Sequence, residues 1–496
     1  MRTLLSGAAA IALAAPASVL AQSMEHMGHQ MPMPAPAPAP KPAAAPPPAA
    51  VSSSDSCVIS IEGQGQMACS SPSTPAEPVS HETMDHGAMN HPVAARGAFD
   101  GPAMDHDMAG MDHAGHTVSA MVGEGSGTSR LPLNETTSHG AMVGLGGDAM
   151  LMLHGYAWGV YTDQSGPRGG DKLYAQSMAM ASLEAPFEGG KLTARTMLSL
   201  DPAMRHDGYP NLFATGEVAY GKPLVDRQHP HDLFMELAAK AEFEIGEKTT
   251  AFLYGGPVGE PALGPSAFMH RASARYNPEA PITHHWFDST HITYGVVTAG
   301  LGGKAWQLEA SAFRGREPDE HRSDIETPRL DSWSVRASFA PSPAWLLQAS
   351  YGELDEPEEQ HPGEDEHRFT TSAHFNDGDG LSAMAAFSAK DRVPGDTLTA
   401  WLGEVNWDLT AHHSLFGRIE NVANDELFPD NADPLHDRKF RITKLQAGYA
   451  YRPPLGPLNL ALGGTVAAFA KPDALDAAYG ENPMGYTVFV KLSLGD

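Results

Sequence analysis

Methionine and histidine recur together in the first quarter of the chain, in a pattern suited to metal chemistry. Met24-Glu25-His26, Met84-Asp85-His86, Met104-Asp105-His106 and Met111-Asp112-His113 repeat one motif, flanked by Met27, His29, Met89, His91, Met108 and His116. Between Met24 and Met121 lie 11 of the 23 methionines and 8 of the 24 histidines, an enrichment that a solvated linker does not need, since methionine is apolar and easily oxidised. Thioether sulfur selects Cu(I), and imidazole beside a carboxylate suits Cu(II), so the array is expected to hold copper in either state. A low-complexity linker, or a zinc or nickel site, is the competing reading. Cys57 and Cys69 fall in the same stretch, where an oxidising compartment favours a disulfide and metal capture is the alternative.

A second set of ligand types sits far downstream. Asp226-Arg227-Gln228-His229-Pro230-His231-Asp232 precedes Met269-His270-Arg271 and His284-His285-Trp286-Phe287-Asp288-Ser289-Thr290-His291. The extended backbone around Pro230 should turn His229 and His231 to one side. A metal site drawn from His229, His231, His284, His285 and His291 is one expectation; His–Asp hydrogen bonding in packed loops is the other. Met150, Met152 and His154, then Met178 with Met180, then Met197, offer a possible soft-ligand track, or ordinary wall packing. Acidic stretches, Glu353 to Glu366 and Glu317-Pro318-Asp319-Glu320-His321-Arg322, read as solvated surface or as attractors of cations. Asp288, Ser289 and His291 lie close in sequence, but proximity does not make a hydrolase triad. With no G-x-S-x-G, P-loop or dinucleotide fingerprint, no enzyme is expected.

The elements that must carry these residues follow from composition. The 496 residues hold 32 Lys+Arg against 60 Asp+Glu, a net charge of -28, which argues against nucleic acid as a partner. Residues 1–21 read as a secretory signal peptide: Arg2, an apolar stretch from Leu4 to Leu20, and a small-residue cleavage site at Ala21. Residues 22–145, with the Pro-rich spacer from Pro34 to Ala50, are expected to form a disordered arm. From 146 to 496 the pattern changes to period-2 alternation, as in Trp333, Val335, Ala337 and Phe339 against Ser334, Arg336 and Ser338. Such segments recur about sixteen times, from 149–161 to 485–494. Their connections sort into tight turns, such as Pro341-Ser342-Pro343, alternating with long stretches such as 201–232 and 256–289. That sorting is the pattern of an all-β transmembrane barrel of the outer membrane, with about sixteen antiparallel strands, both termini and the arm facing the periplasm, and lipid around it. Arg195, Arg336, Arg368, Arg418, Glu404 and Glu420 fall on polar strand faces and should line the lumen. The chain's end, Leu494-Gly495-Asp496, lacks a terminal aromatic, which leaves Tyr486 and Phe489 to serve the last strand.

Signal peptide, Met-[Asp/Glu]-His repeats and barrel together resemble the copper-resistance B type outer-membrane proteins, over the arm from Met24 to Met121 and in general architecture. Segments such as DRQHPHD and GREPDEHR instead look like an uncharacterised group of outer-membrane proteins. The resemblance implies copper binding and its sequestration or export at the outer membrane, carried over only to the Met-[Asp/Glu]-His positions; copper ions, outer-membrane lipid and, as one option, periplasmic copper proteins are the expected partners. A general porin with an incidental metal-rich linker is the alternative.

Overall fold

The computed structural model describes residues 122–135, 140–454 and 459–494. The signal peptide, the Met-[Asp/Glu]-His motifs from Met24 to His116 and the two cysteines lie outside them.

Sixteen antiparallel strands close into a barrel in simple chain order. They are β1 Ala149–Gln164, β2 Gly170–Phe187, β3 Gly190–Leu198, β4 Phe234–Gly246, β5 Thr249–Gly259, β6 Thr293–Gly303, β7 Trp306–Phe313 and β8 Ser332–Ser342. The ring continues through β9 Trp345–Leu354, β10 Asp365–Asn376, β11 Leu381–Val393, β12 Thr397–Thr410, β13 His413–Asn424, β14 Phe440–Tyr451, β15 Asn459–Ala470 and β16 Met484–Leu494. The seam runs from Gly485 opposite Gln164 to Leu494 opposite Gly155. Each expected segment corresponds to one strand. The tight turns gather at one end and the long loops at the other, although the β1–β2 and β11–β12 connections at the long-loop end are also short.

The alternation is inverted relative to a protein folded in water. On β8, Trp333, Val335 and Phe339 are exposed while Ser334, Arg336 and Ser338 are buried. Aromatic pairs ring the outside near both ends: Phe187–Phe243 and Trp345–Phe375 by the short turns, Tyr161–Tyr486 and Trp333–Tyr351 toward the loops. An apolar exterior between two aromatic girdles, with every strand edge paired, is the architecture of a bacterial outer-membrane barrel. On β16, Tyr486 faces outward, whereas Phe489 faces the lumen against Trp158 at a centroid distance of 5.0 Å, so only one of the two expected aromatics serves the lipid face.

The lumen is the protein's core. Residues 199–233 and 260–292 fold into it, and Leu212, Phe213, Ile282, Trp286 and Phe287 pack against Leu398, Leu402, Val422 and Ile442 of the wall. Cross-strand ion pairs face inward, Glu309 with Arg336 at 2.9 Å and Glu404 with Arg418 at 2.8 Å. Arg195, Arg368 and Glu420 also face the lumen, as the polar faces predict, yet the wall charges are covered by the loops.

The start of the described chain departs from the composition reading. The hairpin Val122–Glu124 with Arg130–Pro132 lies inside the lumen. Its base sits at the short-turn end, where Asn134 donates from its backbone to Pro343 O at 3.0 Å and from Nδ2 to Asn376 O at 3.1 Å. Its tip meets the inward loop, with Ser126 N donating to Ser266 Oγ and Ala267 N to Ser126 Oγ. Ala141–Gly146 then pairs with the first residues of β1 and lengthens the wall. A Gly/Ser-rich stretch reads as arm by composition because its polar groups are satisfied only by a lumen remote in sequence.

Candidate metal centre in the barrel lumen

Local structure gathers the five histidines of the two loops. Arg227-Gln228 pairs with Tyr209-Pro210, which fixes the segment leading into His229-Pro230-His231. A single helical turn, His284–Phe287, places Asp288 four residues after His284, so His284 Nδ1 reaches Asp288 Oδ1 at 2.8 Å. All five rings are buried. Centroid separations run 5.1 Å for His284–His291, 5.3 Å for His284–His285, 5.4 Å for His231–His291, 5.9 Å for His229–His284, 6.1 Å for His229–His285 and 6.4 Å for His229–His231. Imidazoles sharing one ion at a metal–nitrogen distance of about 2.0–2.1 Å would have centroids roughly 5 Å apart.

Every Nδ1 in the cluster is held by an oxygen. His231 Nδ1 lies 2.9 Å from Asp201, His285 Nδ1 3.1 Å from Glu317, His229 Nδ1 3.0 Å from Pro230 O, and His291 Nδ1 2.6 Å from Asp288 O. A carbonyl only accepts, so Nδ1 of His229 and of His291 carries the proton and donates. In the neutral ring this leaves the lone pair on Nε2, the arrangement that outer-shell oxygens impose on metal-binding histidines.

Electrostatics divides the cluster. Burial, reinforced by Arg322 and neighbouring histidines, holds His229 well below the ordinary histidine range, and burial with His284 does the same to His291. Burial opposes charge on His285 too, but the Glu317 carboxylate outweighs it and lifts the ring to about 9; His285 in turn holds Glu317 at about 2 against its own burial. Burial raises Glu217 despite Arg322 beside it.

Ligand atoms are closest at one end. Single atoms of Glu217, His229 and His285 lie within 4.8 Å of one another, and His229 Nε2 is 3.1 Å from Glu217 Oε1. Nε2 of His291 is buried without a hydrogen-bond partner, and Nε2 of His229 faces only the Glu217 carboxyl. Orphaned lone pairs beside carboxylates are what a bound cation would satisfy, so the residues fit a transition-metal ion. His231, His284 and His291 adjoin this group as rings. Gly216 makes the packing feasible: its φ is +107°, and a Cβ there would stand 2.6 Å from His285 Nδ1.

The sequence marked the histidines but not their carboxylate partners as such. Asp201 and Glu217 lie in the 199–233 loop, and Glu317 belongs to an acidic stretch read as surface or cation attractor. Glu317 and Arg322 are instead buried, Arg322 donating to Glu217 at 2.6 Å. Among the described residues one further group of three, Glu358, His361 and Glu426, has metal-ligand spacing, but Lys390 and Arg392 already pair with its carboxylates. The Asp288-Ser289-His291 run forms no relay: Ser289 Oγ accepts from Arg368 at 2.8 Å, and His291 bonds the Asp288 backbone. The methionine faces point inward. Met178, Met180, Met197 and Met235 are buried in one cluster, joined by Met152 and Met269.

No protein-family profile matches the chain, and no curated protein does. Similar solved structures include OmpF of Salmonella typhi in complex with daunomycin, at 10% identity over 71% of this chain and 100% of that one, with TM-score 0.47. The outer-membrane channel DcaP of Acinetobacter baumannii matches at 11%, 71% and 100%, with TM-score 0.43. An anion-selective porin from Comamonas acidovorans matches at 11%, 70% and 100%, with TM-score 0.41. The likeness is one of barrel architecture, and the ligands of those proteins are theirs alone.

Proposed function

We propose that this outer-membrane barrel binds copper, captured by the Met/His arm on the periplasmic side and passed to a histidine centre in the lumen, as part of copper resistance by sequestration or export. The observation that carries the reading is the buried cluster of His229, His231, His284, His285 and His291, with each Nδ1 pinned by an oxygen, Nε2 of His229 turned to the Glu217 carboxyl and Nε2 of His291 unpartnered. Imidazole and carboxylate donors suit Cu(II), and the arm's thioethers tilt the choice from zinc toward copper. Many weak sites tethered to the barrel would raise the local copper concentration at it.

The test is Cu(II) electron paramagnetic resonance on the purified full chain. Nitrogen hyperfine structure that is lost in a His229→Asn/His284→Asn/His291→Asn variant while the barrel stays folded supports the centre; spectra unchanged by the triple substitution refute it. A general porin is the second reading, favoured by the sixteen-strand architecture. It predicts single-channel conductance that ignores copper and the deletion of residues 24–121.

A further inference from the structure

The lumen holds another group of donors, distinct from the imidazole–carboxylate centre. Eleven methionines follow residue 121, and six of them, Met152, Met178, Met180, Met197, Met235 and Met269, meet in one cluster. Ordinary core packing would disperse them, since methionine is a filler with no preference for its own kind. Three of the six, Met197, Met235 and Met269, line a cavity of about 10 Å³ together with His270, His291 and two carboxyl groups, Glu236, which already accepts from Tyr254 Oη at 2.9 Å, and Glu260, which faces Arg336 at 4.0 Å. That volume is at the lower limit for one water and suffices for a bare ion.

His291 supplies the independent sign of a ligand. It is 8% exposed, its Nδ1 donates to Asp288 O, and its Nε2 has no partner. An acceptor lone pair beside three thioethers suits a soft cation. Met269 and His270 line a second cavity as well, of about 50 Å³, in which they face His154, His231 and Asp201. The thioether cavity is thus continuous, through shared side chains, with the histidine cluster.

We propose that Met197, Met235, Met269, His270 and His291 form a second site in the lumen, selective for a monovalent soft cation, Cu(I). The proposal rests on the copper reading above for its biological cargo, though not for its geometry. Thioether sulfur is a soft donor and imidazole a borderline one, so this group favours Cu(I), whereas the neighbouring imidazole–carboxylate group suits harder divalent ions. His291 stands between the two groups and offers its single Nε2 lone pair to one ion at a time.

The test uses the full chain in detergent, labelled with 13C at the methionine methyls and titrated with Ag(I) as the probe for Cu(I). Met197→Leu, Met235→Leu and Met269→Leu assign the three cavity resonances and nearly conserve volume. The three resonances are expected to move together, and Met269→Leu to raise the Kd of this site about tenfold or more. Met384→Leu, in a separate buried cluster, should leave the titration unchanged. Cavity methyls that stay fixed while Ag(I) saturates the remaining methionines would overturn the proposal. The Cu(II) spectra separate the two readings: nitrogen couplings with unmoved cavity methyls leave the histidine centre standing alone, and moved methyls without those couplings leave only the soft site.

Discussion

Arg271 ties the inward loop to the wall through Glu404 and braces the loop itself through Ser266 and Asp288, and its removal should loosen the loop in the lumen. Its guanidinium is fully buried; Nε donates to Glu404 Oε2 at 2.9 Å, and Nη1 donates to Ser266 O at 2.9 Å and Asp288 Oδ2 at 3.2 Å. Breaking a buried ion pair from one side costs about 3–5 kcal/mol. In Arg271→Leu the loss belongs at the lower end, because Glu404 keeps Arg418 and Asp288 keeps His284. About 3 kcal/mol corresponds to roughly a hundredfold rise in the ratio of displaced to seated loop. Other anchors remain, including Thr283 to Glu420 at 3.0 Å and Glu279 to Lys444 at 2.9 Å, so displacement should be transient. Planar-bilayer recording should show brief openings of higher conductance that the parent chain rarely visits, and hydrogen exchange over residues 260–292 should quicken. Identical traces and identical exchange, in a variant that still migrates as a folded barrel, would refute the reasoning.

Further outcomes follow from the same geometry. Gly216→Ala combines a strained φ with a Cβ overlapping the His285 ring, and should weaken Cu(II) binding about tenfold or more in a chelator competition while leaving the barrel intact. Burial lifts the Glu135 carboxyl to about 7, where Ala272 N donates to it at 2.6 Å. A carboxyl raised on folding binds its proton more tightly in the seated state, so its contribution is largest below about pH 4.5 and fades as pH rises through 7. Protease access to residues 123–135 should therefore increase between pH 5 and pH 8, and Glu135→Gln should flatten that profile. Leu445, exposed to lipid midway along β14, should cost about 2–4 kcal/mol when changed to Arg, measured by urea titration of folding into lipid vesicles.

The wall was legible because two independent signals agree on it. Alternation gives the phase of each strand, and the sorting of turns gives the closure; Trp333 to Phe339 on β8 carries both, ending beside the Pro341-Ser342-Pro343 turn. Alternation alone left the methionine faces open, since Leu151 and Leu153 compete with Met150 and Met152 for one environment. The neighbouring strand resolves this, as His154 stands beside Met180 in the β1–β2 register and both are buried. The centre was half legible. His229 and His231 announce themselves by type and spacing, but Asp201, Glu217 and Glu317 become partners only once three loops share one enclosed space. Loop length says that a segment is long and says nothing of whether it turns inward. The lumen hairpin was invisible for a related reason, since Thr128 finds its partner Glu309 181 positions away.

The position of that hairpin bears on how the molecule is assembled. Its tip is tied to Glu309 and Arg336 on β7 and β8, across the ring from the β16–β1 seam, and Glu124 is tied to Lys240 on β4. The hairpin precedes every wall strand in sequence, yet its partners stand on strands far apart around the ring. Whatever the order in which the strands pair, the closed cylinder is stoppered by a leading segment of its own chain, which cannot be withdrawn without breaking ties to both sides of the wall.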